Sequence, residues 1–149
     1  MSETPHARET HGAFSPESWT DAERQYERLG STAQVVVRSI TKAMSFDRDE
    51  YERRVTSDVV ETARQALFAE SLTVQIAEKA DFDSWREEYG HDVHLAGSDA
   101  VNNVAWHISP PAERAVGATF ENEPQAAVGT VRRMAFNRLY RDRLTGDKQ

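Results

Sequence analysis

The sequence predicts an α+β domain: an N-terminal three-helix segment, then a mainly antiparallel four-stranded sheet in the order strand-helix-strand-strand-strand, then a long C-terminal helix. Three observations carry this reading. Apolar residues recur at helical spacing from Trp19 to Leu67. From Ser71 to Ala77 apolar and polar residues alternate strictly, the period of a half-buried strand. Further alternating runs follow, separated by Gly90 and by Ser109-Pro110-Pro111, before helical spacing returns near Glu123.

The first helix is announced by Ser15-Pro16-Glu17: serine caps, proline suits the first turn, and glutamate suits the positive helix end. Trp19, Ala22, Tyr26 and Leu29 form its stripe, and Gly30 is expected to stop it. A second helix begins at Ser31. Ala33, Val36, Val37, Ile40, Ala43 and Met44 line its inner face, with Arg38, Thr41 and Lys42 opposite. A short acidic turn is expected from Asp47 to Arg54. Asp58 and Glu61 have capping-box spacing for a third helix, whose buried stripe is Val59, Val60, Ala63, Ala66 and Leu67.

After the strand at 71–77, Phe82, Trp85 and Tyr89 make one face of a short helix ended by Gly90. Strands are expected near 91–97 with Val93 and Leu95 inward, near 102–108 with Val104, Trp106 and Ile108 inward, and at 115–120 with Val116, Ala118 and Phe120 inward. Residues 115–120 are the segment where strand and helix are hardest to separate. The last helix spans about 123–144. Residues 1–13 show no apolar period and are expected to form a disordered tail on a single domain over 14–149.

Composition narrows the function classes. The chain has 149 residues, 25 acids against 18 bases, a net charge of −7 and no cysteine. Disulfides, thiolate zinc sites and cysteine nucleophiles are thereby excluded. The longest apolar run, Ala66–Ala69, is far too short for a bilayer, and Met1–Ala13 has no apolar signal core, so a cytoplasmic protein without membrane contact is expected. Lys42, Lys79 and Lys148 are the only lysines; the other bases are arginine. An acidic, lysine-poor surface suits a salty cytosol, where counter-ions screen self-repulsion. Codon bias in a GC-rich genome gives the same arginine excess.

Two surfaces invite a functional reading. A short turn around Ala100-Val101 would set His94 opposite His107, with Cβ atoms about 5 Å apart on an open sheet face. Asp92, Thr73, Gln75 and Thr119 join that face, and Gly117 would leave room beside His107. Two imidazoles and a carboxylate suit acid–base work or a divalent ion. The competing reading is a polar face turned to solvent, a helix or another subunit. With no third strong ligand, and no glycine-rich phosphate loop or nucleophile elbow, no metal and no cofactor is expected.

The second surface is the last helix. Ala127, Val128, Val131, Met134, Ala135 and Leu139 form its core stripe, with Arg138 inside it. A buried guanidinium must pair or snorkel. Opposite lie Phe136 and Tyr140, flanked by Arg132, Arg133 and Arg143, the residue types of an interface anchor. That face is the expected contact for a protein partner or a second copy; alternatively the rings pack on neighbouring segments. A helix-turn-helix in 33–69 is a poor DNA reader, since Asp58, Glu61 and Glu70 face Arg64 alone. The leading expectation is a non-catalytic association module, followed by a small enzyme or metal binder at His94 and His107, then a nucleic-acid-binding regulator.

Several segments carry a resemblance. Glu9-Thr10-His11-Gly12, Ser45-Phe46-Asp47-Arg48 through Val59-Val60-Glu61-Thr62-Ala63-Arg64, Val104-Ala105-Trp106-His107, and Arg132 to Asp142 resemble a family of uncharacterised proteins from halophilic archaea. The similarity covers about 9–143. It implies a cytosolic, salt-adapted protein and assigns no catalytic residue.

Overall fold

The structure, a computed structural model, describes residues 8–146. Helix α1 (Trp19–Ala43) starts at Ser18, whose hydroxyl accepts from the Asp21 amide at 3.1 Å. It runs through Gly30, where a stop was expected, so two expected helices form one rod of 25 residues, about 37 Å long. Gly30 takes helical backbone there, beside Arg64 of α3. A Cβ on it would lie 3.6 Å from the Arg64 guanidinium, which sits over the Tyr26 ring and donates to the Tyr26 carbonyl at 2.8 Å. The expected acidic turn is a helix, α2 (Arg48–Arg54), capped by Asp47. Helix α3 (Ser57–Ser71) is capped by Thr56, two residues earlier than the expected Asp58.

The sheet has five strands rather than four, and it is mixed. They are β1 (Glu9–His11), β2 (Val74–Glu78), β3 (Asp92–Ala96), β4 (Asn103–Ser109) and β5 (Arg114–Phe120), in the order β1-β2-β4-β5-β3. Every pairing is antiparallel except β3 with β5. Helix α4 (Lys79–Tyr89) connects β2 to β3 and ends on left-handed Gly90. Strand β1 lies inside the expected N-terminal tail, so Glu9–His11 is ordered by pairing with β2; residues 1–7 lie outside the described residues.

The larger correction concerns β3. It does not form a hairpin with β4, because β5 inserts between them and the connection passes over the end of β5. Gly97 makes that crossing possible with φ +110°. A Cβ there would lie 1.9 Å from Thr119 Oγ1, the atom that accepts the Ser98 amide at 2.9 Å. The β4–β5 register also differs from expectation: Val116 opposes His107 and Gly117 opposes Trp106.

Both sheet faces are covered. Ala77, Val104 and Trp106, with Val93, Leu95 and Ile108, pack under α4 against Phe82 and Trp85. The other face carries Val74, Ala105, Val116, Ala118 and His107. It meets the main core of Tyr26, Phe68, Leu72, Val128, Val131, Ala135 and Tyr140. The face expected to be open is therefore the one that the larger helical layer covers. Apolar residues of both parities, Val104 and Trp106 against Val74 and Val116, require two covered faces.

The C-terminal segment is a continuous helical rod: α5 (Pro124–Ala135), a π-helical turn (Phe136–Tyr140) and α6 (Arg141–Thr145). The π turn resolves the problem of Arg138. On an ideal wheel Arg138 falls in the core stripe. One wide turn delays the phase, so Tyr140 joins Leu139 in the core and Arg138 is exposed.

Candidate functional site

His107 is buried, and both ring nitrogens are engaged. Nδ1 donates to the Thr73 carbonyl at 2.7 Å, which fixes the tautomer because a carbonyl only accepts. Nε2 then accepts from the Tyr140 hydroxyl at 2.8 Å. The Ser109 hydroxyl also reaches Tyr140. Burial holds the His107 pKa down to about 4; the Thr73 carbonyl opposes this and the Arg132 guanidinium adds to it. Burial likewise pushes the Tyr140 phenol well above its usual range. At neutral pH this is an uncharged network sealed in the core, joining β2, β4 and the π turn. It fixes the depth of the C-terminal rod rather than presenting groups to a substrate.

The remaining residues of the expected sheet site are elsewhere. His94 shares a face with His107 but pairs with Val116, which stands between them; two strand spacings separate the imidazoles by about 10 Å. His94 and Asp92 are exposed on the edge strand β3. Among the described residues no three His, Asp or Glu side chains gather as a metal would require.

The Arg-aromatic face of the last helix is also spent within the chain. Phe68 is ringed by Phe14, Tyr26, Phe136 and Tyr140 at centroid distances of 5.8, 5.9, 5.8 and 5.4 Å. Phe136 and Tyr140 are 4% and 0% exposed. Arg132 donates to the Leu72 carbonyl at 3.0 Å and pairs with Glu70. Arg143 pairs with Glu23 and lies over Trp19. Arg133 is exposed and reaches Thr130 on its own helix. The rings are buried because the rod lies between the sheet on one side and α1 with α3 on the other, so it needs two apolar stripes.

The open apolar surface lies elsewhere, on α1 and α3. Ile40, Met44 and Val59 are 53%, 57% and 41% exposed. Ile40 and Val59 line a groove of about 410 Å³ with Val37, Phe46, Val55, Ala63 and Ala66, and Met44 follows one turn after Ile40 at the C-cap of α1. Among the groove's polar lining residues the Thr41 hydroxyl donates to the Arg38 carbonyl, and Arg54 lies over the Phe46 ring. Val59, Ala63 and Ala66 were expected inside; α3 instead turns Phe68 and Ala69 to the core. The signal was present in α1. Ala22, Tyr26, Leu29, Ala33, Val36, Ile40 and Ala43 alternate steps of four and three residues, a coiled-coil seam that ignores Gly30. Ala22, Tyr26 and Ala33 are buried, whereas Ile40 and Ala43 are exposed, so the seam outruns its cover.

The fold is thus that of an α+β domain with a mixed five-stranded sheet, a sealed histidine–tyrosine link and one uncovered helical face. A family model described as a family of unknown function (DUF5809) matches residues 13–141, and the chain belongs to that family. No curated protein and no solved structure matches it. None of the helices among the described residues is long and apolar enough to cross a membrane.

Proposed function

We propose that the protein is a non-catalytic association domain of a salt-rich cytoplasm, and that its contact surface is the apolar face of α1 and α3. One observation carries the reading: among the described residues every exposed large hydrophobic side chain lies on these two helices (Val35, Ile40 and Val59) or at the C-cap of α1 (Met44). Ile40 and Val59 line one groove, and Met44 stands one turn beyond Ile40. An acidic chain gains nothing in solubility from such a face, so a bound partner is its use. The engagement of both His107 nitrogens in the core supports a non-catalytic role. The low lysine count and net −7 support a salty setting.

The triple variant Ile40→Ser, Met44→Ser, Val59→Ser tests this. A contact face adds little to the isolated fold, so the variant is expected to stay within about 1 kcal/mol of the parent in urea unfolding. In dilute solution the native parent is expected to bind an apolar dye such as anilinonaphthalene sulfonate, and the variant to lose that binding. A loss of several kcal/mol, or no dye bound by the parent, would contradict the reading.

A further inference from the structure

We infer that the occupant of the α1–α3 face is a second copy of this chain, laid antiparallel across a two-fold axis so that the α1 seams meet. This rests on the association reading above and names its partner.

Continuity of the seam comes first. Over its first half the α1 stripe packs within the chain, through Ala22, Tyr26 and Ala33. Past Val36 the same spacing continues through Ile40 and Ala43, both exposed, while Val37 and Thr41 beside them remain buried. What fits such a stripe is another helix of the same spacing. The outer stripe of α3 repeats it with Val59, Ala63 and Ala66. Ridge and groove therefore lie side by side: Ile40 and Met44 protrude, and the hollow edged by Val59, Ala63 and Ala66 adjoins them. A two-fold axis turns such a surface onto itself, ridge into groove, at two equivalent places.

Charge points the same way. The whole chain carries −7, which opposes pairing of copies. Residues 28–46 are its longest run without Asp or Glu. Within the uncovered part of the seam the flanking positions are Val37, Ser39 and Met44, while Arg38 and Lys42 lie on the outer side. Two copies thus meet at the stretch where their acids are fewest.

The size of the face sets the strength of the pairing. It runs roughly 13 Å along α1 and about two helix widths across. That is the small end of specific interfaces, below about 1,200 Å² in total. The dimer should be concentration-dependent and favoured by salt that screens the remaining acids.

Sedimentation velocity of the full chain in molar KCl, from low micromolar to several hundred micromolar, tests the inference. The average mass is expected to rise from 16.8 kDa toward twice that value. Ile40→Glu and, separately, Met44→Glu are expected to hold it at the monomer value throughout. Because the chain has no cysteine, the double variant Val36→Cys with Ala43→Cys is expected to yield disulfide-linked dimers with oxidised glutathione, since antiparallel pairing about Ile40 sets position 36 of one copy against position 43 of the other, and Glu88→Cys on α4 to yield none. A monomer at every concentration overturns the inference. So does a dimer untouched by both Glu variants, or one that links equally well through Glu88→Cys. The dye and stability measurements above stand apart: a stable, dye-losing triple variant of a monomeric parent would keep the association face and remove only the second copy as its occupant.

Discussion

Replacing both Phe136 and Tyr140 with serine is expected to unfold the protein. Each ring is buried against Phe68, and Tyr140 also meets Trp19 edge-on at 5.9 Å. Removing a buried aromatic side chain costs about 3–5 kcal/mol. Two such losses approach the whole stability of a domain this size, about 5–15 kcal/mol. The serine hydroxyls recover little, and His107 Nε2 loses its donor as well. Circular dichroism across a urea series is the measurement: the double variant should lack a cooperative transition, or show one displaced to much lower urea. A midpoint within about 1 kcal/mol of the parent, the effect typical of a surface site, would mean that these rings are not core. It would return the C-terminal helix to consideration as the contact surface.

Acidification from pH 7 to pH 4 is expected to remove about 3 kcal/mol of stability through His107 alone. The ordinary histidine pKa of 6.5 describes the unfolded chain, and in the fold it is down to about 4. The fold therefore favours the neutral ring. Its contribution is complete above pH 6.5, falls as pH drops through the interval, and is lost below about 4. Protonation would place a second donor on Nε2, against the Tyr140 hydroxyl that now donates to it, and would set a cation in the field of Arg132. Carboxylates also titrate toward the acid end, so the check is a difference. Urea stability of the parent and of His107→Gln is followed from pH 7 to 4. The parent curve should fall more steeply by about the stated amount. Parallel curves would show that the ring is not held neutral by the fold.

Much of this architecture was legible in the residues. The change of period at Ser71, Gly90 as the end of α4, and the Pro110-Pro111 break are local events, and local chemistry locates them. What was missed depends on partners distant in sequence. Gly30 reads as a helix stop because nothing in its neighbourhood announces Arg64, thirty-four residues later, which fills the space beside it. Strand β3 reads as half of a hairpin because a short loop usually joins neighbours; the insertion of β5 is decided by Gly97 over Thr119 and by the α4 face. That single change of neighbour separates His94 from His107 and dissolves the expected sheet site.

The helix faces were misjudged for a related reason. An amphipathic stripe shows that something covers it and does not say whether the cover lies in the same chain. Phe136 packs against Tyr26 of α1 and Phe68 of α3, while Tyr140 sits between Phe68 and Trp19 on one side and His107 of the sheet on the other. Ile40, Ala43 and Met44 form as good a stripe, yet the layer that buries Val37 and Thr41 in the same half of α1 leaves them exposed. The uniform 100° wheel also failed at the π turn. There, burying Leu139 and Tyr140 while releasing Arg138 outweighed regular α-helical bonding.

The location of the contact surface is tested most directly by amide chemical shifts on an isotope-labelled full chain diluted stepwise in molar KCl. Concentration-dependent shifts should be confined to Val36–Met44 of α1 and to Val59–Ala66 of α3, with the α5 and π-turn amides unmoved. Shifts centred on Arg133–Arg143, or shifts at no residue up to the highest concentration, would contradict the placement of self-association on the α1–α3 face.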